Sequence, residues 1–256
     1  KTANPFEKLT YLDENIKCGN SLIADSSVKN STYFNWQKEF PKIVKNGGFD
    51  VVVGNPPYGA ILSDCELDFL KKQYQSYEYQ CNTYVLFYER GLSLLKTKGI
   101  LGFITPATFT YQHYFKKIRT LLQPLEIRSI CKYSFPVFED ADVGDTVSLI
   151  IQNLPRKQAS TPVLVCAQKD DVQAMHALIN YADLLSNDGC FIFSGNNELA
   201  KVYKNTHPLG DCAEIVVGIK PYQTGKGKPK QTKEIVSQKP FTKEFQHDPS
   251  FVQCVN

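Results

Sequence analysis

The run Phe49-Asp50-Val51-Val52-Val53-Gly54-Asn55-Pro56-Pro57-Tyr58 constrains this chain more than any other. An apolar, β-branched stretch predicts a buried strand, and two consecutive prolines stop it because they cannot donate to a sheet ladder. The chain must turn there, with an amide and an aromatic ring at the strand's carboxyl end. In open α/β sheets that is where ligands bind. By average residue usage, Asn/Asp/Ser-Pro-Pro-aromatic arises by chance in about one chain in a hundred of this length.

The flanking pattern predicts alternating elements. Residues 33–48, with Trp36, Phe40, Ile43 and Val44, fit one amphipathic helix closed by Gly47-Gly48. Thr83 to Lys96 fits a helix packed on a sheet, ended by Gly99, and Ile100–Ile104 a second strand stopped at Thr105-Pro106. Ala107 to Leu122 reads as a further helix, and the stretch from Cys65 to Gln80 is compatible with helix or loop. Ile127–Tyr133 and Thr146–Gln152 are strands too close in sequence for a crossover helix, so an antiparallel pair is expected late in an otherwise largely parallel α/β sheet. Pro155 to Ser160 reads as a linker, and residues 161–256 as a separate mixed α+β region.

At 42% hydrophobic and 21% charged, the 256 residues suit a globular α/β protein rather than a disordered chain. No apolar run reaches membrane-spanning length, and no signal-peptide core follows Lys1, so a cytoplasmic protein is expected. The eight cysteines are scattered without a CxxC pair, which favours reduced thiols and no metal site. A net charge of +3 does not itself imply nucleic acid. Its distribution does more: residues 218–233 hold five lysines and no acid among glycines, prolines and one tyrosine. Lys220, Tyr222, Lys226, Lys228, Lys230 and Lys233 are candidates for a loop following DNA phosphates, with a solvated basic loop as the plain alternative.

Asn-Pro-Pro-Tyr suits alkylation of a nitrogen whose lone pair is delocalised into a ring or carbonyl. Such a nitrogen is a poor nucleophile, and two fixed acceptors, the Asn55 side-chain oxygen and the Pro56 carbonyl, can hold its N–H groups so that the lone pair faces an incoming methyl. Pro56 and Pro57 stiffen the turn, and Tyr58 can stack on the planar substrate. A proline-rich turn with Tyr58 in the core is the structural alternative.

These residues resemble the N6-adenine DNA methyltransferases. Gly19-Asn20-Ser21-Leu22 is similar to the family's motif for the adenine of S-adenosylmethionine, with Asn20 where Asp is usual. Asn82 to Phe87 is similar to the next helix, which puts Phe87 against the cofactor. Phe138, with the strand Val147–Ile151, resembles the late motif whose aromatic stacks on the flipped base opposite Tyr58; Phe135 is its rival. Flipping would be required because N6 in a duplex is engaged in pairing. Pro208 to Ile219 resembles the entry to the target-recognition domain of single-chain restriction-modification enzymes of the Eco57I and TaqI kind.

The resemblance implies that residues 1–154 are the C-terminal part of a Rossmann-like class I methyltransferase domain, followed by the linker 155–160 and the beginning of a target-recognition domain at 161–256. It implies S-adenosylmethionine as cofactor, double-stranded DNA as partner, and an upstream part of the same polypeptide carrying the Gly-rich cofactor motif, for which there is no room before Gly19. Any endonuclease centre is expected outside this stretch. Two rival readings stay open: a protein glutamine methyltransferase, whose amide nitrogen poses the same chemical problem, and a DNA target-recognition module without catalysis.

Overall fold

The computed structural model of the chain describes residues 14–28, 31–78, 82–133, 135–138, 144–157, 159–166, 175–180, 189–191, 193, 206–207, 209–214, 224 and 230–238. The chain divides into two compact units, residues 1–205 and 206–256. In the second, the described elements are a single 3-10 turn, Leu209–Asp211, and a short helix, Lys233–Gln238.

The first unit is built on a mixed sheet whose strands, in chain order, are β1 (Phe49–Gly54), β2 (Leu95–Pro106), β3 (Leu125–Tyr133), β4 (Thr146–Pro155), β5 (Ser160–Cys166) and β6 (Met175–Asn180). Their spatial order is β1-β2-β4-β3-β5-β6. β1 runs parallel to β2 and β3 to β5, while β2/β4, β3/β4 and β5/β6 are antiparallel. The α/β class and the late antiparallel pair agree with the sequence reading; the sheet as a whole is mixed rather than largely parallel. Residues 155–160 do not separate two sheets: they lead from β4 directly into β5, which pairs with β3 in the same sheet.

Helices α1 (Trp36–Glu39) and α2 (Pro41–Lys45) replace the single helix expected over 33–48. Pro41 cannot donate into a continuous ladder, so the chain breaks at Phe40 and restarts with proline in the first turn. Asn35 caps α1 by accepting from the Gln37 and Lys38 amides. Helix α3 (Asp64–Gln73) settles the undecided stretch after Tyr58: Ser63 and Glu66 form a reciprocal capping box at its start. Its Leu70 packs with Leu22, Ile23, Val28, Tyr74 and Leu86.

Helix α4 (Thr83–Leu94) passes into β2 without a loop. The β1/β2 register accordingly slips between Phe49↔Leu95 and Val51↔Ile100, with Lys98 at φ 69°. Gly48 is needed where the chain crosses this corner: its φ is +118°, and a Cβ there would stand 2.5 Å from the Leu94 carbonyl oxygen.

Ala107 to Leu122 is not one helix. Two 3-10 turns, Ala107–Thr110 and His113–Phe115, precede a short α5 (Lys116–Leu122). The Thr110 hydroxyl bonds to the Ala107 carbonyl, the local side-chain competition that disfavours a helical ladder. Helices α4 and α5 cover one face of the sheet, where Tyr84, Tyr88, Ile118 and Leu122 meet Leu101, Phe103, Leu149 and Ile151. On the sheet, register puts Val51, Val53, Ile100 and Ile150 together, all exposed, with Val53 at 75%.

Candidate active site

Parallel pairing aligns the carboxyl ends of β1 and β2, and the Asn55–Tyr58 turn lies at that edge. Pro56 is buried, Asn55 and Pro57 are exposed, and Tyr58 is half-buried. Two contacts fasten the turn to the start of α4. Thr83 Oγ1 donates to the Pro57 carbonyl at 2.8 Å, and the Gly59 amide donates to Asn82 Oδ1 at 3.0 Å. Asn82 is the N-cap residue of α4 but makes no side-chain bond to its own helix. Its capping capacity is used on the turn instead, a role that sequence inspection missed because Asn before a helix reads as an ordinary cap.

The Tyr58 hydroxyl donates to Asn55 Oδ1 and lies 3.2 Å from the Ile104 carbonyl oxygen. Burial pushes the Tyr58 phenol above its usual pKa, so it remains a donor at neutral pH. Its ring meets Tyr84 edge to face at 6.0 Å between centroids, and Phe138 at 6.4 Å and 60°. Tyr58 and Phe138 are therefore neighbours, but their rings touch and leave no slot for a planar base between them. Phe135 packs instead on Tyr133, 5.8 Å away.

Behind the turn lies a largely apolar cleft of about 210 Å³ between β1 and α4. Val52, Gly54, Pro56, Phe87, Gly91 and Trp36 form most of its wall, and Asn55, Ser21 and Arg90 bring polar groups to it. Gly91 lets α4 lie close to β2: a Cβ there would come within 2.6 Å of Leu101 Cδ1. Arg90 is held by Tyr74, whose hydroxyl accepts from Arg90 Nε at 2.9 Å and donates to the Leu22 carbonyl at 2.7 Å. Trp36 Nε1 donates to the Ser21 carbonyl at 3.1 Å. That bond ties the Asn20–Leu22 turn to the cleft wall, a second link that the sequence did not disclose.

Asn20 stands next to the cleft-lining Ser21 without lining the cleft itself. Its Oδ1 accepts from the Leu22 amide at 3.1 Å, and its Nδ2 is 3.5 Å from both Ser31 Oγ and Glu66 Oε1. An amide oxygen has a second lone pair, so acceptance from a ligand amino group remains chemically available. The cleft suits a flat heterocycle: Phe87 and Pro56 offer apolar faces, and polar groups are few. It fits the adenine end of S-adenosylmethionine, while among the described residues no carboxylate lines it to hold ribose hydroxyls. The structure thus brings Asn55, Pro56, Pro57 and Phe87 to one cleft, and Tyr58 and Phe138 into contact beside it. Lys230 and Lys233 are exposed in the second unit, whereas Lys220, Tyr222, Lys226 and Lys228 lie outside the described residues.

Comparison with known proteins adds to this geometry. The family model described as Eco57I restriction-modification methylase matches residues 1–138. The type II restriction enzyme and methyltransferase RM.Eco57I of Escherichia coli is 42% identical over 120 residues, covering 44% of this chain and 12% of that protein. A protein of Methanocaldococcus jannaschii assigned as a type II restriction enzyme and methyltransferase is 29% identical over 199 residues, covering 73% of this chain. The chain spans only 17% of its length. A crystal structure of a type I restriction-modification methyltransferase subunit from Streptococcus thermophilus superposes with a TM-score of 0.44 at 16% identity, over 57% of this chain and 38% of that one.

Proposed function

The chain belongs to the Eco57I restriction-modification methylase family, and from that membership we propose that it takes part in S-adenosylmethionine-dependent methylation of adenine N6 in double-stranded DNA, as the modification part of a fused restriction-modification enzyme. One observation carries the reading: Asn55, Pro56 and Pro57 line the apolar cleft while Tyr58, in the same turn, meets Phe138. A methyl donor in the cleft and an acceptor base beyond the turn would then meet at Asn55.

S-adenosylmethionine, when bound, supplies a methyl group activated by its sulfonium. The chain's own residues do the rest. Asn55 Oδ1 and the Pro56 carbonyl accept the two N6 hydrogens, which holds the amino group with its lone pair toward the cleft. Tyr58 stacks on the extruded base, with Phe138 as the opposite wall once the two rings part. Phe87 packs on the cofactor adenine, and Asn20, through its remaining lone pair, accepts from the adenine amino group at the cleft edge.

The exposed apolar stripe Val51, Val53, Ile100 and Ile150 is the seat proposed for the upstream part of the same polypeptide, which would bring the Gly-rich cofactor motif. Target recognition is proposed to begin beyond the strands of the methyltransferase sheet, where Lys220, Tyr222, Lys226, Lys228, Lys230 and Lys233 follow phosphates.

Incubating the full-length protein with methyl-labelled cofactor and duplex DNA, then hydrolysing the DNA to nucleosides, tests the proposal. N6-methyladenine is expected. Labelled methylglutamine in protein and no methyladenine would overturn it in favour of the amide substrate.

A further inference from the structure

The segment joining β2 to α5 has two faces of opposite character. Inward, Phe109 and Phe115 are buried against Tyr84, at 6.3 and 6.0 Å between ring centroids, and the Tyr84 hydroxyl bonds Thr108 Oγ1 at 2.9 Å. Tyr84 in turn touches Tyr58, so the segment is two ring contacts from the catalytic turn. Outward, Tyr111 is 55% exposed and Tyr114 48%, with His113 against the Tyr114 ring and Lys116 exposed beside them.

The segment is also fixed in place. Arg119 is 2% exposed, and its Nη1 donates to the carbonyls of Phe109 and Gln112 at 3.0 and 2.6 Å. The Ala107 amide bonds the Asp145 carbonyl, the Phe191 amide bonds the Thr110 carbonyl, and the Lys117 amide bonds Glu78. Arg119 thus anchors a loop that is core on one side and displays tyrosines to solvent on the other. The exposed side offers an external ligand a preorganised surface, with little ordering entropy left to lose on binding.

From Pro106 to Leu125 the chain has His113, Lys116, Lys117 and Arg119 and no acid. Aromatic rings interleave with cations along this stretch, and the Glu78 carboxylate that meets it is engaged by the Lys117 amide; the pattern fits a polyanion that carries flat bases. We propose that Tyr111, His113, Tyr114 and Lys116 form a nucleic-acid contact surface beside the reacting base: the rings lie against bases and sugars of the flanking strand, and Lys116 lies on a phosphate. The inference rests on the DNA reading above and assigns it a surface other than the lysine-rich region 218–233.

The test uses the full-length protein, a fluorescently labelled random-sequence duplex and a salt titration. Tyr111→Ser/Tyr114→Ser is expected to weaken binding by at least about ten-fold. Lys116→Gln should lower the slope of log affinity against log salt by about 0.9, one phosphate contact. Cofactor affinity and melting temperature of the variants should match the wild type. In parallel, irradiating the wild-type complex with an iododeoxyuridine-substituted duplex should cross-link the peptide containing Tyr111 and Tyr114; this arm does not depend on how the variants fold. If the wild-type protein binds no DNA, the DNA reading itself falls. If it binds DNA but variant affinity and slope are unchanged, or the cross-links fall only elsewhere, this surface is refuted while that reading stands.

Discussion

Replacing Tyr58 by Phe and by Ala separates the two roles that the structure gives this residue. Its hydroxyl donates to Asn55 Oδ1, the acceptor assigned to the target amino group, so an incoming base must displace it. A protein hydrogen bond contributes a net of about 0.5–1.5 kcal/mol. Tyr58→Phe removes the internal competitor and keeps the ring, and at about 1 kcal/mol it should improve apparent affinity for DNA roughly five-fold with little change in kcat. Tyr58→Ala also removes the ring contacts with Tyr84 and Phe138 and the stacking on the base, worth about 1–3 kcal/mol. Its methylation efficiency should fall about 10- to 100-fold. The assay is steady-state transfer from tritiated cofactor to duplex DNA, with 2-aminopurine at the target position reporting extrusion. A Phe variant as impaired as the Ala variant would refute the reasoning, because the hydroxyl would then act on the reaction itself rather than compete with the base.

Other consequences can be checked separately. Gly91→Ala would force a Cβ to 2.6 Å from Leu101 Cδ1 and 3.1 Å from Phe103 Cζ; over-packing of about 1–3 kcal/mol should exceed the ~1 kcal/mol gain in helix propensity and lower the calorimetric Tm by a few degrees. Ser63→Ala breaks the capping box of α3 and should cost about 1 kcal/mol, read as faster amide exchange in its first turn. Burial pushes the Tyr74 phenol up to about 12. Folding therefore favours its protonated form, and that stability is complete below about pH 10 and lost as pH rises toward 12. Tyr74→Phe should flatten the fall of the urea midpoint across that window. Arg119→Met should remove the Arg119 donor from the Phe109 and Gln112 carbonyls, leaving Gln112 only the Phe115 amide, and speed exchange over residues 107–115, with the sheet amides unchanged.

Parts of this architecture were legible because local chemistry admits one answer. Three valines followed by two prolines give a strand and its end, and the apolar pattern over Thr83 to Lys96, with Tyr84 and Leu92 buried, gives a helix packed on the sheet, whose buried face Tyr88 completes. The short connection between β3 and β4 excludes a crossover, hence their antiparallel pairing. What was hidden depends on partners distant in sequence. Whether residues 155–160 link two domains or two strands of one sheet depends on β3 offering β5 a free edge. The split of the expected helix over 107–122 is local by contrast, set by the Thr110 hydroxyl and by the buried Arg119 within the same stretch, whose bonds to main-chain carbonyls an apolar pattern does not reveal. At the candidate site, the turn and Phe87 could be named from sequence. The fastening by Asn82 and Thr83 could not, since both look like an ordinary helix start.

Trp36, whose indole N–H is tied to the Ser21 carbonyl and whose ring lies 5.8 Å from Phe40, is the sole tryptophan among the 256 residues and part of the cleft wall. Its emission is therefore a built-in optical reporter of that cleft. A ligand seated against Val52 and Phe87 should quench or shift the indole fluorescence without any label, so occupancy can be titrated in a cuvette independently of methyl transfer. Trp36→Phe should abolish the ligand-dependent change that this residue contributes, which separates its signal from any other emission.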